Sequence, residues 1–280
     1  METIYGIMDV LLPFAWAGHN FMKHAFLAVL LVMPLFGLLS TMVVSSRMAF
    51  FSDSLGHGAF TGIAIGALLG AVSPLASLIV FSVLFALFIT YIKNKSTAST
   101  DTIIGVFSST AIAVGLMIMS YGGSFNKFSS YLVGDILSIT PEELGALLVV
   151  FLLVLLMWSV LFNRLLVLSI NPSFARSRGI NSFLAESLFA ATLAVVVSIS
   201  IQWVGILIIN AMLVLPAAAA RNLAGNVKQY HFLSVLIAWA AGIGGLILAY
   251  YFNMAAGATI VVISAAVFFV TLLLKPYFVR

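Results

Sequence analysis

Asp53 and His57, a carboxylate and an imidazole four residues apart, form the pair in this chain best suited to chemistry. They stand in the run Phe51-Ser52-Asp53-Ser54-Leu55-Gly56-His57-Gly58. On a helix that spacing puts both groups on one face, with Cβ atoms about 5–6 Å apart. Such a pair can ligate a divalent cation, and an imidazole with oxygen donors suits zinc, manganese or ferrous iron. A plainer reading is an N-cap aspartate followed by a histidine satisfied by a backbone carbonyl. Other chemistries are excluded more firmly. The chain has no cysteine, so disulfides, thiolate metal sites and cysteine nucleophiles are out. It carries no His-Glu-x-x-His pattern and no Gly-x-x-x-x-Gly-Lys phosphate loop, so it cannot hydrolyse ATP by that loop.

The remaining acids are few, since the chain holds only 8 Asp and Glu residues and 4 His. Glu142 and Glu143 follow Pro141 and fit the first turn of a helix, where carboxylates favour the positive dipole end. Glu186 reads the same way, and Asp101 fits a helix cap after Ser99 and Thr100. Asp135 sits in the apolar run Tyr131-Leu132-Val133-Gly134-Asp135-Ile136-Leu137. That run either dips into a membrane at the mouth of a pathway or makes an ordinary turn.

The elements that must position these residues follow from composition. Of 280 residues, 63% are hydrophobic and only 7% are charged. Soluble domains carry about 25% charged residues, so most of this surface must face lipid or other helices within lipid. The fold expected is all-α and polytopic, a single membrane domain over 1–280 with no soluble domain. A span needs about 20 mostly apolar residues. About nine stretches qualify, near 25–44, 55–71, 75–92, 102–120, 144–162, 183–201, 204–220, 232–252 and 257–274. The second is rich in glycine (Gly56, Gly58, Gly62, Gly66), which suits close helix packing. The opening stretch from Ile4 to Trp16 holds Pro13 and reads as an interfacial helix. No basic n-region precedes it, so no cleaved signal peptide is expected.

Charge placement orients the spans. With the N-terminus outside and nine spans following, Arg47, Lys93, Lys95, Arg164, Arg176, Arg178, Arg221, Lys228, Lys275 and Arg280 lie inside, and only Lys23 and Lys127 lie outside. That bias follows the positive-inside rule, and the C-terminus falls inside. The net charge of +4 is therefore a topology signal, not a sign of nucleic acid.

Two further segments stand out. The inside loop at about 163–182 contains Asn171-Pro172-Ser173-Phe174-Ala175-Arg176-Ser177-Arg178-Gly179. Proline at a helix start and glycine at its end predict one or two helical turns, with Phe174 and Ala175 as a small apolar face. The segment is either a solvated connector or a docking helix for a cytoplasmic partner. In the seventh span Pro216 is expected to kink the helix, and Asn210 places an amide in an apolar stretch. This span is a kinked packing helix or an interrupted helix lining a transport pathway.

At these motifs the chain resembles the ABC-3 family of permease subunits from bacterial ABC importers of zinc, manganese and iron. The likeness runs over about 20–275, in the family's order. It is carried by Arg47 to His57, by Tyr131 to Asp135 with Thr140-Pro141-Glu142-Glu143-Leu144, and by Val204-Gly205 through Pro216-Ala217-Ala218-Ala219-Ala220-Arg221. Ser52, Gly58 and Thr61 depart from the usual family residues, and Asn171 stands where many members have Asp. The resemblance implies a type II importer architecture (metal or vitamin B12 type) in the bacterial inner membrane. It implies a homodimer of the permease, two cytoplasmic ATP-binding subunits and an extracytoplasmic metal-binding protein. Asp53 and His57 would meet the metal in the pathway, with Asp135 a weaker candidate. Asn210 and Pro216 would serve gating. Asn171, Pro172, Ala175, Arg176 and Gly179 would form the coupling helix seated in the ATPase. No permanent cofactor is expected. The cargo is a divalent metal, zinc first because the Phe-Phe-Ser-Asp and Thr-Pro-Glu-Glu stretches look nearer to zinc-type members, then manganese or iron.

Two alternatives remain from the sequence. A siderophore or vitamin B12 type permease generally has a longer chain with about ten spans and lacks the Asp53–His57 pair. An intramembrane metalloenzyme lacks ligands, since His19 and His24 fall near the surface and His231 inside.

Overall fold

The computed structural model describes residues 5, 6, 8, 14–70, 73–122 and 134–278. Long apolar helices dominate it. They are α1 (Asn20–Ser45), α2 (Ala49–Leu68), α3 (Pro74–Lys95), α4 (Thr100–Gly122), α5 (Pro141–Ile170), the short α6 (Pro172–Ser177), α7 (Ser182–Val204), α8 (Ile206–Met212), α9 (Leu215–Leu223), α10 (Val227–Phe252) and α11 (Ala256–Phe278). Among the described residues, seven helices are long and apolar enough to cross a membrane: α1, α3, α4, α5, α7, α10 and α11. The second expected span is α2, in which Ser52, Asp53, Ser54 and His57 dilute the apolar run. The seventh is divided into α8 and α9. Each of the nine expected stretches thus holds helix among the described residues. Most of the expected interfacial stretch at 4–16 lies outside the described residues, and its end enters a 3-10 turn at Ala15–Gly18.

Capping explains several boundaries. Ser73 accepts from the backbone N–H of Ala76 with Pro74 in the first turn, and Asn226 does the same for Gln229 at the head of α10. Thr140 and Glu143 form a reciprocal capping box. Glu143 Oε2 accepts from Thr140 N at 2.8 Å, and Thr140 Oγ1 accepts from Glu143 N at 3.3 Å. Asp101 is not the cap of α4, because Ser99 Oγ accepts from Thr102 N at 3.2 Å. Helix α5 runs on to Ile170, past position 163 where the inside loop was expected to begin. Nothing in Leu165-Leu166-Val167-Leu168 breaks a helix, and the stop comes only where Pro172 restricts Asn171.

The chain divides into two compact units. The first draws on the described residues of Met1–Thr41, Gly134–Leu153 and Ala211–Arg280. In it α9, α10 and α11 pack together, and the first part of α1 crosses α10 closely. A Cβ on Gly37 would lie 2.7 Å from Val235 Cα, so only glycine permits that crossing. Ser234 Oγ donates to Gly37 O at 2.6 Å and meets Ser40 Oγ at 3.1 Å, all of it buried. Buried Asn222 on α9 donates to Thr271 Oγ1 on α11 at 3.3 Å.

The second unit comprises the described residues of Met42–Val133 and Val154–Asn210. Here α2 packs against α3, α4 and α7, and α3 against α7. The glycine pattern of α2 serves this packing. A Cβ on Gly62 would meet Leu78 Cα at 3.2 Å and Phe81 Cβ at 2.7 Å. Lys93 near the end of α3 pairs with Glu186 near the start of α7 at 3.0 Å. Glu186 is therefore half of an ion pair between helices, where the sequence pattern pointed only to a first-turn carboxylate.

Candidate metal pathway site

Helix α2 starts at Ala49 with Met48 as its cap residue and no capping side chain. Asp53 is thus the fifth helical residue and cannot be an N-cap, which removes the plainer reading of the pair. Asp53 Oδ1 and His57 Nε2 lie 3.7 Å apart across one turn, with side chains 38% and 31% exposed. That gap exceeds a hydrogen bond. It is close to the separation of about 3.4 Å that two donors take around a tetrahedral ion with metal–ligand bonds near 2.1 Å. A small rotamer adjustment would let both atoms grip one cation. Among the described residues, no three His, Cys, Asp or Glu side chains gather into a ligand cluster. Among the described residues the pair is therefore an incomplete ligand set.

The face of α2 beside this pair is occupied by α8. Ser52 Oγ lies 3.0 Å from Asn210 Oδ1, and a Cβ on Gly56 would meet Ile206 Cγ2 at 3.0 Å. Ser52 is buried, whereas Asp53 and His57 keep access to space outside the packed helices. The structure thus joins Asn210 to the segment carrying the pair through Ser52, a link that the sequence did not single out.

The other candidates are placed differently. Asp135 belongs to the first unit and is exposed, and its Oδ1 accepts from Leu137 N at 3.0 Å. It thereby caps the 3-10 turn Ile136–Ser138, which matches the ordinary-turn reading. Tyr131 to Val133 lie outside the described residues. Pro216 does not kink a continuous helix. The helix is interrupted after Met212, and Pro216 stands in the first turn of α9, where its missing N–H costs no intrahelical bond. Upstream, Gly205 at φ +85° ends α7, so α8 is separated at both ends.

The loop helix α6 forms as its punctuation predicts. Asn171 Oδ1 accepts from Phe174 N at 3.0 Å, with Pro172 in the first turn. Its far end closes as a Schellman motif, with Ile180 N on Ala175 O at 3.1 Å, Gly179 N on Arg176 O at 3.0 Å, and Gly179 at φ +74°. Ala175 is fully buried and packs inward. Every other residue of α6 is exposed, so Phe174, Arg176 and the adjoining Arg178, and not Ala175, are its large outward side chains. The Arg178 guanidinium lies 5.2 Å from the Phe174 ring centroid.

Apolar helices in the number and length of membrane spans, one expected span interrupted and another bearing a carboxylate–imidazole pair, describe a polytopic membrane transporter. The family model of the ABC 3 transport family matches residues 18–275. The chain belongs to that family. It is 31% identical over 257 residues to the manganese import system permease protein ScaB of Streptococcus gordonii, covering 92% of each chain. It is 29% identical over 253 residues to the high-affinity zinc uptake system membrane protein ZnuB of Buchnera aphidicola, covering 89% of this chain and 96% of that one. Its fold matches a chain of PsaBC from Streptococcus pneumoniae, solved in complex with Fab, with a TM-score of 0.80 at 28% identity, over 97% of this chain and 95% of that one.

Proposed function

We propose that this chain is the membrane permease subunit of an ATP-driven importer for a divalent transition metal. The observation that carries the reading is the Asp53–His57 pair, set 3.7 Å apart on one face of a glycine-packed helix, within a chain of a transport family. An importer must release its cargo, so an incomplete, partly exposed ligand set suits a transient stop better than a permanent centre. Two copies of the permease, each offering one such pair, would complete a coordination sphere that a single pair leaves open.

The relatives' names include manganese import and zinc uptake at similar identity, so identity does not separate the two metals. A nitrogen–oxygen donor pair holds zinc more tightly than manganese at equal concentration, and zinc is the first expectation. ATP hydrolysis belongs to a separate cytoplasmic subunit. Phe174, with Arg176 and Arg178 beside it, is the docking face that α6 offers to it, while Asn171, Pro172 and Gly179 hold the helix in shape and Ala175 anchors it from beneath. An extracytoplasmic binding protein delivers the ion, the positive-inside pattern puts the C-terminus in the cytoplasm, and the membrane is the bacterial inner membrane.

The experiment is uptake by vesicles containing the permease with its ATPase, supplied with zinc or manganese and the binding protein. ATP-dependent accumulation that vanishes in Asp53→Ala and His57→Ala supports the reading. Undiminished accumulation in both variants overturns it.

A further inference from the structure

Arg47 occupies a backbone conformation that an arginine has no intrinsic reason to adopt. Helix α1 ends in a Schellman motif, with Met48 N on Val43 O at 2.8 Å and Arg47 N on Val44 O at 3.2 Å. The left-handed position of that motif belongs by preference to glycine, yet it holds Arg47 at φ +55°. A strained residue kept at a helix end calls for a side-chain role that offsets the strain. Among the described residues the Arg47 guanidinium has no hydrogen bond or ion pair. Arg47 is an exposed residue that lines a cavity of about 500 Å³ with Ser45, Ser46, Lys93, Ser169 and Glu186, all within the second unit.

The charge and shape of this cavity select its ligand. Lys93 is neutralised by Glu186 at 3.0 Å, and Asn94 Nδ2 lies 3.4 Å from the same carboxylate oxygen. Arg47 is left as one uncompensated positive charge. Hydroxyls of Ser45 and Ser46 supply neutral donors, Ser169 Oγ donates to Leu166 O at 2.8 Å, and buried Leu165, Leu168 and Phe189 close the apolar side. A single net charge with hydroxyl donors and an apolar wall fits a monoanionic phosphodiester better than a free dianionic phosphate. The lining residues come from the ends of α1, α3 and α5, from Met48 before α2, from Pro172 at the start of α6 and from the first half of α7. Ile170 and Phe50, near the lining residues Ser169 and Met48 in sequence, are 74% and 65% exposed. A basic cavity between spans at that depth is where anionic headgroups reach.

We infer that this cavity is a phosphate-group site that takes the headgroup of an anionic phospholipid, with Arg47 as its anchor. Its inner-leaflet placement rests on the orientation proposed above. Nanodiscs offer the same lipid to both leaflets, so a wrong orientation would leave the binding readout unchanged.

The test places the complete transporter, permease with its ATPase, in nanodiscs of phosphatidylcholine alone or with added phosphatidylglycerol. Retained lipid is read by native mass spectrometry and stability by Tm. In the wild type, phosphatidylglycerol should be retained over phosphatidylcholine and should raise Tm. Arg47→Gly relieves the left-handed strain, so its Tm in phosphatidylcholine should match or exceed the wild type. Its retention of phosphatidylglycerol should fall roughly tenfold. Arg47→Lys should restore part of it. A second arm adds inorganic phosphate. Failure of phosphate to displace the lipid identifies a headgroup site, and displacement that depends on Arg47 identifies a soluble phosphate compound as the source. Equal lipid retention in wild type and Arg47→Gly overturns the proposal. So does an Arg47→Gly transporter that keeps its lipid but loses the ATPase, since Arg47 would then serve that subunit.

Discussion

Ser52 on α2 and Asn210 on α8 meet at 3.0 Å one residue before Asp53, which makes α8 a fixed neighbour of the helix carrying the ligand pair. Ser52 Oγ also lies 2.7 Å from Ala49 O. A hydroxyl has one hydrogen, so either it is shared or the Asn210 amide turns to donate Nδ2–H to Ser52. In either arrangement the contact is a half-buried polar link between two helices. Ser52→Ala and Asn210→Ala should each lower stability by about 1 kcal/mol. Because they break the same link, the double variant should cost less than the sum. Thermal unfolding of the purified permease measures both, and strict additivity would show that the two residues act independently.

The ligand pair itself makes a sharper prediction. Asp53→Ala and His57→Ala should each reduce metal uptake to background while leaving assembly with the ATPase and Tm close to wild type. Both side chains are about one third exposed and neither caps the helix, so truncation leaves no buried group stranded. Asp53→Asn keeps the shape and loses the charge, and its uptake should fall as far. Metal accumulation measured by elemental analysis of vesicles decides this, with co-purification of the ATPase as the control.

How much of this was legible in the sequence varies with the range of the interaction. The spans were legible because each is a local apolar run, and α6 because Pro172 and Gly179 bracket it. That Asp53 and His57 share one helical face was legible from their spacing. Glu186 was misjudged because its partner Lys93 is 93 positions away, and no local pattern reports that pairing. The end of α5 was set too early because Asn163 and Arg164 look like a loop when read alone, although the apolar run beyond them sustains the helix to Ile170. The left-handed Arg47 was hidden because its conformation follows from α1 ending beside a second helix start, not from its residue type.

The crossing at Gly37 should be intolerant of any side chain. An added Cβ meets the backbone of Val235, which cannot rotate away as a side-chain tip could. Gly37→Ala should destabilise the permease by about 1–3 kcal/mol, the range for overpacking a tight interface. A methyl group added at Gly145 would have nothing within 4 Å, so alanine there should cost little or nothing. Tm values of the two variants side by side test the assignment, and equal losses would argue against the Gly37 crossing.

The outward face of α6 separates docking from folding. Ala175 is fully buried, so Ala175→Trp should unfold the loop helix and lower Tm before any coupling can be judged. Phe174 is 48% exposed and stands beside Arg178 on the outer side. Phe174→Ala removes exposed apolar surface, so it should leave Tm nearly unchanged. If α6 is the docking helix, the same variant should lower ATP hydrolysis stimulated by the permease and slow transport by roughly tenfold, as loss of an aromatic anchor does at other interfaces. The measurement is ATPase activity of the reconstituted complex with and without metal-loaded binding protein. Full stimulation in Phe174→Ala, together with normal transport, would assign α6 to a connector and place the docking surface elsewhere on the chain.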